Sequence, residues 1–358
     1  MTRPFRVSVM QPTMEPIEEL LAYARAIDSF DFHTIWMAEN YPWWRKHSME
    51  ARSATAQSTL VAKETSRVTI GWGIITPYSR HPVEIAMEAR VMQEVAPDRF
   101  FVGLGASMIF MRQTGQAAGQ SDRKPRPGTA IREAVEIVRG VMEGGEFELS
   151  GKEFSAYVPA LKEDTESPRG AVPIYVAGTG PKMQQIAGQV GDALLTASIS
   201  TPAFMPYARG NMDAGAKEAG RDPEKLELGA TCISSIGDDA DSGSDGAREF
   251  AAMYLANKVQ NIRGQADVLL EKAGLTQEEI RPIAEAMEKG GRLAAKEKVT
   301  REILRKCKPI AGTPSECIER IEEFKAAGCD HVMLELWGGN RMRQIEMFGQ
   351  KVLPEVLG

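Results

Sequence analysis

Three stretches of this chain carry residue types able to hold a planar or anionic ligand, and each stands where an apolar run gives way to a helix-like one. In Gly71-Trp72-Gly73-Ile74-Ile75-Thr76-Pro77-Tyr78-Ser79-Arg80-His81-Pro82, the glycines at 71 and 73 permit backbone geometry or close approach that a side chain would block. The bland alternative is a strand end and a turn. In Asp98-Arg99-Phe100-Phe101-Val102-Gly103-Leu104-Gly105-Ala106-Ser107, a strand finishes in glycines, so a planar ligand can lie against backbone. In Ala177-Gly178-Thr179-Gly180-Pro181-Lys182-Met183, a helix opens after a strand, and its exposed N–H groups and positive dipole end suit a phosphate. Lys182 can add charge, and Ser198 beyond the next strand is a second candidate for the same phosphate, with a plain βα turn as the alternative.

The pairing of Gly-x-Gly-Ile-x-Thr-Pro-x-x-Arg-His-Pro with Arg-Phe-x-Val-Gly-Leu-Gly, then Val172 to Met183 and Ile310-Ala311-Gly312-Thr313-Pro314, resembles the luciferase-like superfamily in motif order over nearly the whole chain. Within it the chain is more similar to the branch that uses coenzyme F420, such as methylenetetrahydromethanopterin reductase and the F420-dependent glucose-6-phosphate and alcohol dehydrogenases. The resemblance implies a (β/α)8 TIM barrel and an oxidoreductase that moves a hydride between the deazaflavin and an organic substrate. It implies a non-prolyl cis peptide at Gly73-Ile74, with Ile74 backing the cofactor ring. Thr76, Gly105, Ala106 and Ser107 then fall at the ring, and Ala177, Gly178, Thr179, Gly180, Pro181, Lys182 and Ser198 near the phosphate. An FMN-dependent luciferase-like monooxygenase is the alternative, and a flavin-binding barrel without turnover is a third reading.

The chain departs from its relatives at the proton-handling positions. Where many F420-dependent relatives carry an acid-histidine pair, it has Glu39-Asn40, and asparagine hydrogen-bonds but does not titrate. Where the pterin reductases place a glutamate after the first strand, it has Met10-Gln11. The expected catalytic set is therefore Glu39, Asn40 and Gln11, with Asn40 a donor to the ring or to a substrate carbonyl. Glu15 is expected to be a surface charge matching a helix dipole. Trp43, Trp44, Arg45, Lys46 and His47 lie on the expected active-site rim, as a site for an anionic or aromatic ligand or as subunit packing. His33 and His331 are expected to be structural, and His81 either caps its helix or approaches the cofactor.

These motifs need a scaffold that presents many strand ends on one face, and the rest of the sequence supplies it. Short apolar runs at 6–10, 33–37, 68–74, 100–104, 173–177, 192–196, 226–233 and 331–336 alternate with amphipathic segments, the pattern of parallel strands and crossover helices. Helices are expected at 15–29, 82–94, 127–143, 181–190 and 202–219, four of them opening with proline, and Thr313 is an expected N-cap. Residues 144–170 read as a loop insertion holding a small hairpin, and 257–307 as a helical insertion covering the pocket, within a single domain spanning 1–358.

With 43% apolar and 26% charged residues over 358 positions and a net charge of -6, the chain reads as globular, without the basic footprint of a nucleic-acid partner. Cys232, Cys307, Cys317 and Cys329 are too dispersed for a zinc site or a disulfide framework. No run approaches the length of a membrane span and no signal peptide is legible, so the expectation is a cytoplasmic homodimer acting on a small molecule without metal.

Overall fold

The computed structural model describes residues 3–39, 51–107, 110, 125–160, 171–259 and 265–358. Its centre is a closed ring of eight parallel strands: β1 (Arg6–Gln11), β2 (Thr34–Met37), β3 (Thr69–Trp72), β4 (Phe100–Leu104), β7 (Ile174–Ala177), β8 (Ala193–Thr196), β9 (Glu227–Ile236) and β11 (His331–Leu336). Each pairs with the next in that order, and β11 returns to β1, so the ring of eight closes on itself. The expected TIM barrel is present, its eight strands falling where the apolar runs were read. A short strand β10 (Ile310–Gly312) pairs outside the ring on β9, and the expected hairpin is β5 (Phe147–Ser150) with β6 (Ser155–Val158).

Strand alternation sorts the residues into two cores. Val7, Val9, Ile35, Ile70, Val102, Ile174, Leu194, Leu228 and Val332 face the surrounding helices. Met10, Trp36, Tyr175, Ala193, Leu195 and Met333 fill the barrel itself, with Ile74 and Phe101 packed against them. Trp36 and Tyr175 meet edge to face at 5.0 Å, so the interior is a plug rather than a channel.

At the base of that plug the strand starts carry charge. Arg6 pairs with Glu227 at 2.7 Å, and the His331 Nδ1 lies 3.0 Å from the other Glu227 oxygen while its Nε2 meets Ser8. Burial works against ionisation of Glu227, but the bonds from His331, Arg6 and Tyr175 prevail and hold its carboxyl down at about 2. His33 stacks on Phe101 and stays neutral, because burial holds its imidazole down at about 3. Both strand-start histidines are thus structural.

Local signals set most helix starts. Thr313 caps Pro314–Ala326 with Glu316 returning the bond, and His81 caps Pro82–Val95 with Glu84 doing the same. The segment expected at 202–219 is a short 3-10 turn, Pro202–Phe204, running into the helix Met205–Glu218. The long helix Ala240–Lys258, which the strand-and-helix pattern did not mark, starts at a capping box on Asp239 and follows β9.

The helices Gln265–Ala273, Gln277–Lys296 and Arg301–Cys307 form the expected insertion. They do not line the pocket among the described residues; Leu270, Ile280, Ile283, Ile303 and Leu304 share a core with Phe250, Ala251 and Leu255 of Ala240–Lys258. The insertion braces that helix through these shared apolar positions. All four cysteines are buried and free, and among the described residues no helix is long and apolar enough to cross a membrane and no metal-ligating cluster occurs.

Removing Glu227 as Glu227→Ala is expected to cost about 3 to 5 kcal/mol, since it leaves Arg6 and His331 without their partner inside the fold. Because the folded carboxyl lies below its ordinary 4.5, its contribution is complete above that pH and fades as pH falls toward about 2. Urea titrations of both proteins along that pH range should converge at the acid end.

Candidate active site

A cavity of about 350 Å³ opens at the carboxyl ends of the strands, within the size range of small-ligand pockets. The plug forms its floor through Met10, Leu195 and Met333, and the βα segments form its walls. After β3 the ladder is interrupted at Gly73 and Ile74, joined by a cis peptide, and resumes where Ile75 donates to the Gly103 carbonyl at 2.9 Å. Ile74 therefore enters the cavity instead of the sheet. After β4, the glycine at 105 lets Ile74 pack on the backbone, since a Cβ there would lie 2.7 Å from the Ile74 Cδ1 and displace it. Thr76 ties the two segments by donating to the Ala106 carbonyl at 3.3 Å.

After β7, Ala177, Gly178 and Thr179 form the opposite wall, and no side chain caps the helix Pro181–Val190 that follows. The wall after β8 is Thr196, Ala197 and Ser198, with the Thr196 hydroxyl buried and without a hydrogen-bond partner among the described residues. Helix Ala240–Lys258 closes the remaining side with Phe250, Tyr254, Asn257 and Lys258. Phe250 stacks flat on Trp337 at 4.8 Å, fixing this wall to the end of β11.

Two acids face the cavity. Glu39 pairs with Arg80 at 3.3 Å, and Arg80 also reaches Glu88 at 3.3 Å. Burial pushes the Glu39 carboxyl up, while Arg80 pulls it back. Glu335, on the inward face of β11, accepts from the Tyr254 hydroxyl at 3.3 Å, and its Oε2 is buried with no hydrogen-bond partner among the described residues. Burial pushes this carboxyl up to about 7, against the pull of the Ser198 and Tyr254 hydroxyls. Lys258, half-buried, is held down by desolvation.

A cavity at the strand ends of a closed barrel, with a bulge after β3 and glycines after β4 and β7, matches a family model described as luciferase-like monooxygenase over residues 1–331. The chain belongs to that family. It is 28% identical over 343 residues to the 5,10-methylenetetrahydromethanopterin reductase of Archaeoglobus fulgidus, covering 94% of this chain and 96% of the relative. To the enzyme of that name from Methanopyrus kandleri it is 30% identical over 309 residues, covering 83% and 85%. Among solved structures, the coenzyme F420 dependent tetrahydromethanopterin reductase from Methanopyrus kandleri superposes with a TM-score of 0.81 at 26% identity, over 99% of this chain and 100% of that one.

In this luciferase-like chain, Glu39, Gly73, Ile74, Thr76, Gly105, Ala106, Ser107, Ala177, Gly178, Thr179 and Ser198 all line the cavity. Gln11 does not. Its neighbours Met10 and Pro12 do, and the twofold alternation of β1 takes Gln11 to the other face, where its amide is buried. Gly180, Pro181 and Lys182 lie beyond the wall, with Lys182 exposed on the following helix. Asn40 and the run Trp43, Trp44, Arg45, Lys46 and His47 lie outside the described residues.

Glu15 is not a surface charge: it forms an ion pair with Arg341, both side chains largely buried. Sequence reasoning missed Glu335, Tyr254 and Lys258. The signal for Glu335 was present in His331-Val332-Met333-Leu334-Glu335-Leu336, where parity with His331 and Met333 puts the one acid of the strand inside the barrel.

Arg80→Ala is expected to raise the Glu39 carboxyl further, because it removes the cation that favours the charged form. Difference infrared titration against Glu39→Gln measures the change, and an unmoved midpoint would show that Arg80 does not govern this acid.

Proposed function

We propose that the protein is a coenzyme F420-dependent oxidoreductase that exchanges a hydride between the deazaflavin and a small organic substrate bound in this cavity. The observation that carries the reading is the segment after β3, which puts the Ile74 side chain on the cavity wall packed against Gly105, in a chain whose similar relatives are named as methylenetetrahydromethanopterin reductases. The buried Thr196 hydroxyl and Glu335 Oε2, both without hydrogen-bond partners among the described residues, are polar atoms that a heterocyclic ligand would satisfy.

The residues fit such a ligand in sections. Ile74, Gly105 and Ala106 would hold the ring from one side, and Ala177 to Thr179, at the uncapped start of Pro181–Val190, would hold an anionic group. When bound, the deazaflavin supplies two-electron hydride chemistry, and the protein supplies position and shielding from water. The apolar floor of Met10, Leu195 and Met333 excludes water from below, while Glu39, fixed by Arg80, supplies a hydrogen-bonding edge. With this reading go a homodimer in the cytoplasm and, for Asn40 and the Trp43 to His47 rim, contact with the ring or its acidic tail.

Titration of the purified protein with F420 and, separately, with FMN, followed by ligand fluorescence, tests the proposal. F420 should bind at micromolar concentration or tighter and FMN about tenfold more weakly or worse. Gly105→Val should weaken F420 binding about tenfold or more, because its side chain would displace Ile74, whose Cδ1 lies 2.7 Å from the position of the added Cβ, toward the cavity. A preference for FMN would instead assign the chain to the FMN-dependent monooxygenases, with oxygen consumption as the activity to measure.

A further inference from the structure

Hydride chemistry at a C=N or C=O group needs a proton as well as a hydride, and neither Gln11, at the end of β1, nor Asn40, two residues after Ala38, carries a side chain that titrates. Of the two acids on the cavity, Glu39 has a counter-ion in Arg80. Glu335 has none among the described residues. Its environment is built from hydroxyls: Tyr254 from helix Ala240–Lys258 bonds Oε1, and Ser198 after β8 interacts with both Tyr254 and Glu335. The other titratable groups around it are Lys258, farther along the same helix, Glu39 on the cavity wall after β2, and the buried thiol of Cys232 on β9.

A carboxylate buried without a cation is costly in a low-dielectric site, and the neutral acid is the form such a site favours. The carboxyl also has one oxygen left over. Met333, one inward position below, belongs to the cavity floor, so Glu335 stands at the level where a ligand resting on that floor would meet it. Tyr254 is rooted in a helix braced from behind by the insertion, which fixes the hydroxyl that steadies the acid.

We propose that Glu335 is the catalytic acid of this cavity, its carboxyl oriented by Tyr254 and Ser198 and its proton delivered to a heteroatom of the bound substrate. For the electrons the proposal rests on the deazaflavin reading. A hydride from the reduced cofactor forms a C–H bond at the carbon of a C=N or C=O group, the π pair moves to the heteroatom, and that atom takes the Glu335 proton. The substrate gains two electrons and two hydrogens, the cofactor is oxidised by two electrons, and water at the cavity mouth returns a proton to the carboxylate. In the oxidative direction the carboxylate accepts the proton.

Difference infrared spectroscopy of the cofactor-free protein through the neutral pH range, with Glu335→Gln to assign the carboxyl band, reads the proton directly. A protonated carboxyl that titrates near neutrality and vanishes in Glu335→Gln is expected; a Glu335 ionised throughout would overturn the proposal. Tyr254→Phe, which keeps the carboxyl, should move the midpoint upward, because it removes a bond to the charged form; packing alone would leave the midpoint in place. With any ketone or cyclic imine that oxidises bound reduced F420, Glu335→Gln should lower kcat about 100-fold or more while KM stays within about threefold. Retention of kcat would refute the assignment. If the wild-type protein fails to bind F420, the cofactor reading falls, while the infrared titration still decides whether Glu335 holds a proton.

Discussion

Closure of the sheet is the constraint on which everything else depends. Once β8 pairs with β9 and β11 with β1, every strand must send alternate residues into a space of fixed width. That space is filled from below by the Arg6, Glu227 and His331 group, then by Trp36 and Tyr175, then by Met10, Leu195 and Met333. The cavity begins where the filling stops. Its depth is therefore set by side-chain volume in the plug, and its outline by the segments that leave the strand ends.

The two acids at the mouth illustrate how neighbouring groups divide the electrostatic work. Glu39 and Glu335 are both pushed up by burial, but one faces a guanidinium and the other two hydroxyls. An ion pair fixes charge and position together; a hydroxyl pair fixes position and leaves the charge free to change. Paired acids whose surroundings treat them differently are a recurrent way for one site to hold a fixed charge and a mobile proton side by side.

The architecture was legible in the sequence because its signals are local and repeated: β-branched runs, prolines at helix starts, and capping pairs such as Thr313 with Glu316. The glycine motifs at 73, 105 and 178 were legible because each marks a crowded stretch of backbone, where an added Cβ would lie 3.1 Å from Met10, 2.7 Å from Ile74 and 3.0 Å from Met183. What failed was parity and reach. Gln11 was chosen by its place at a strand end, yet one residue decides which face a side chain takes. Glu335 and Tyr254 were passed over because they meet only through the fold, 81 positions apart in sequence. Of the segment 257–307, read as helical and covering the pocket, Asn257 and Lys258 line the cavity among the described residues while the helices after them pack on Ala240–Lys258, since composition reports a helix and not the surface it packs on.

Helix Ala240–Lys258 has a wet side and a dry side. Phe250, Tyr254, Asn257 and Lys258 look into the cavity, while Ala251 and Leu255 are sealed under the insertion by Ile280, Ile283 and their neighbours. The inner side is answerable to chemistry and the outer side only to packing, yet a rigid helix cannot tilt one without tilting the other. Drift in the insertion, far from any ligand, thus becomes a dial on the cavity wall: evolution can retune what the barrel accepts without touching a residue that meets the substrate.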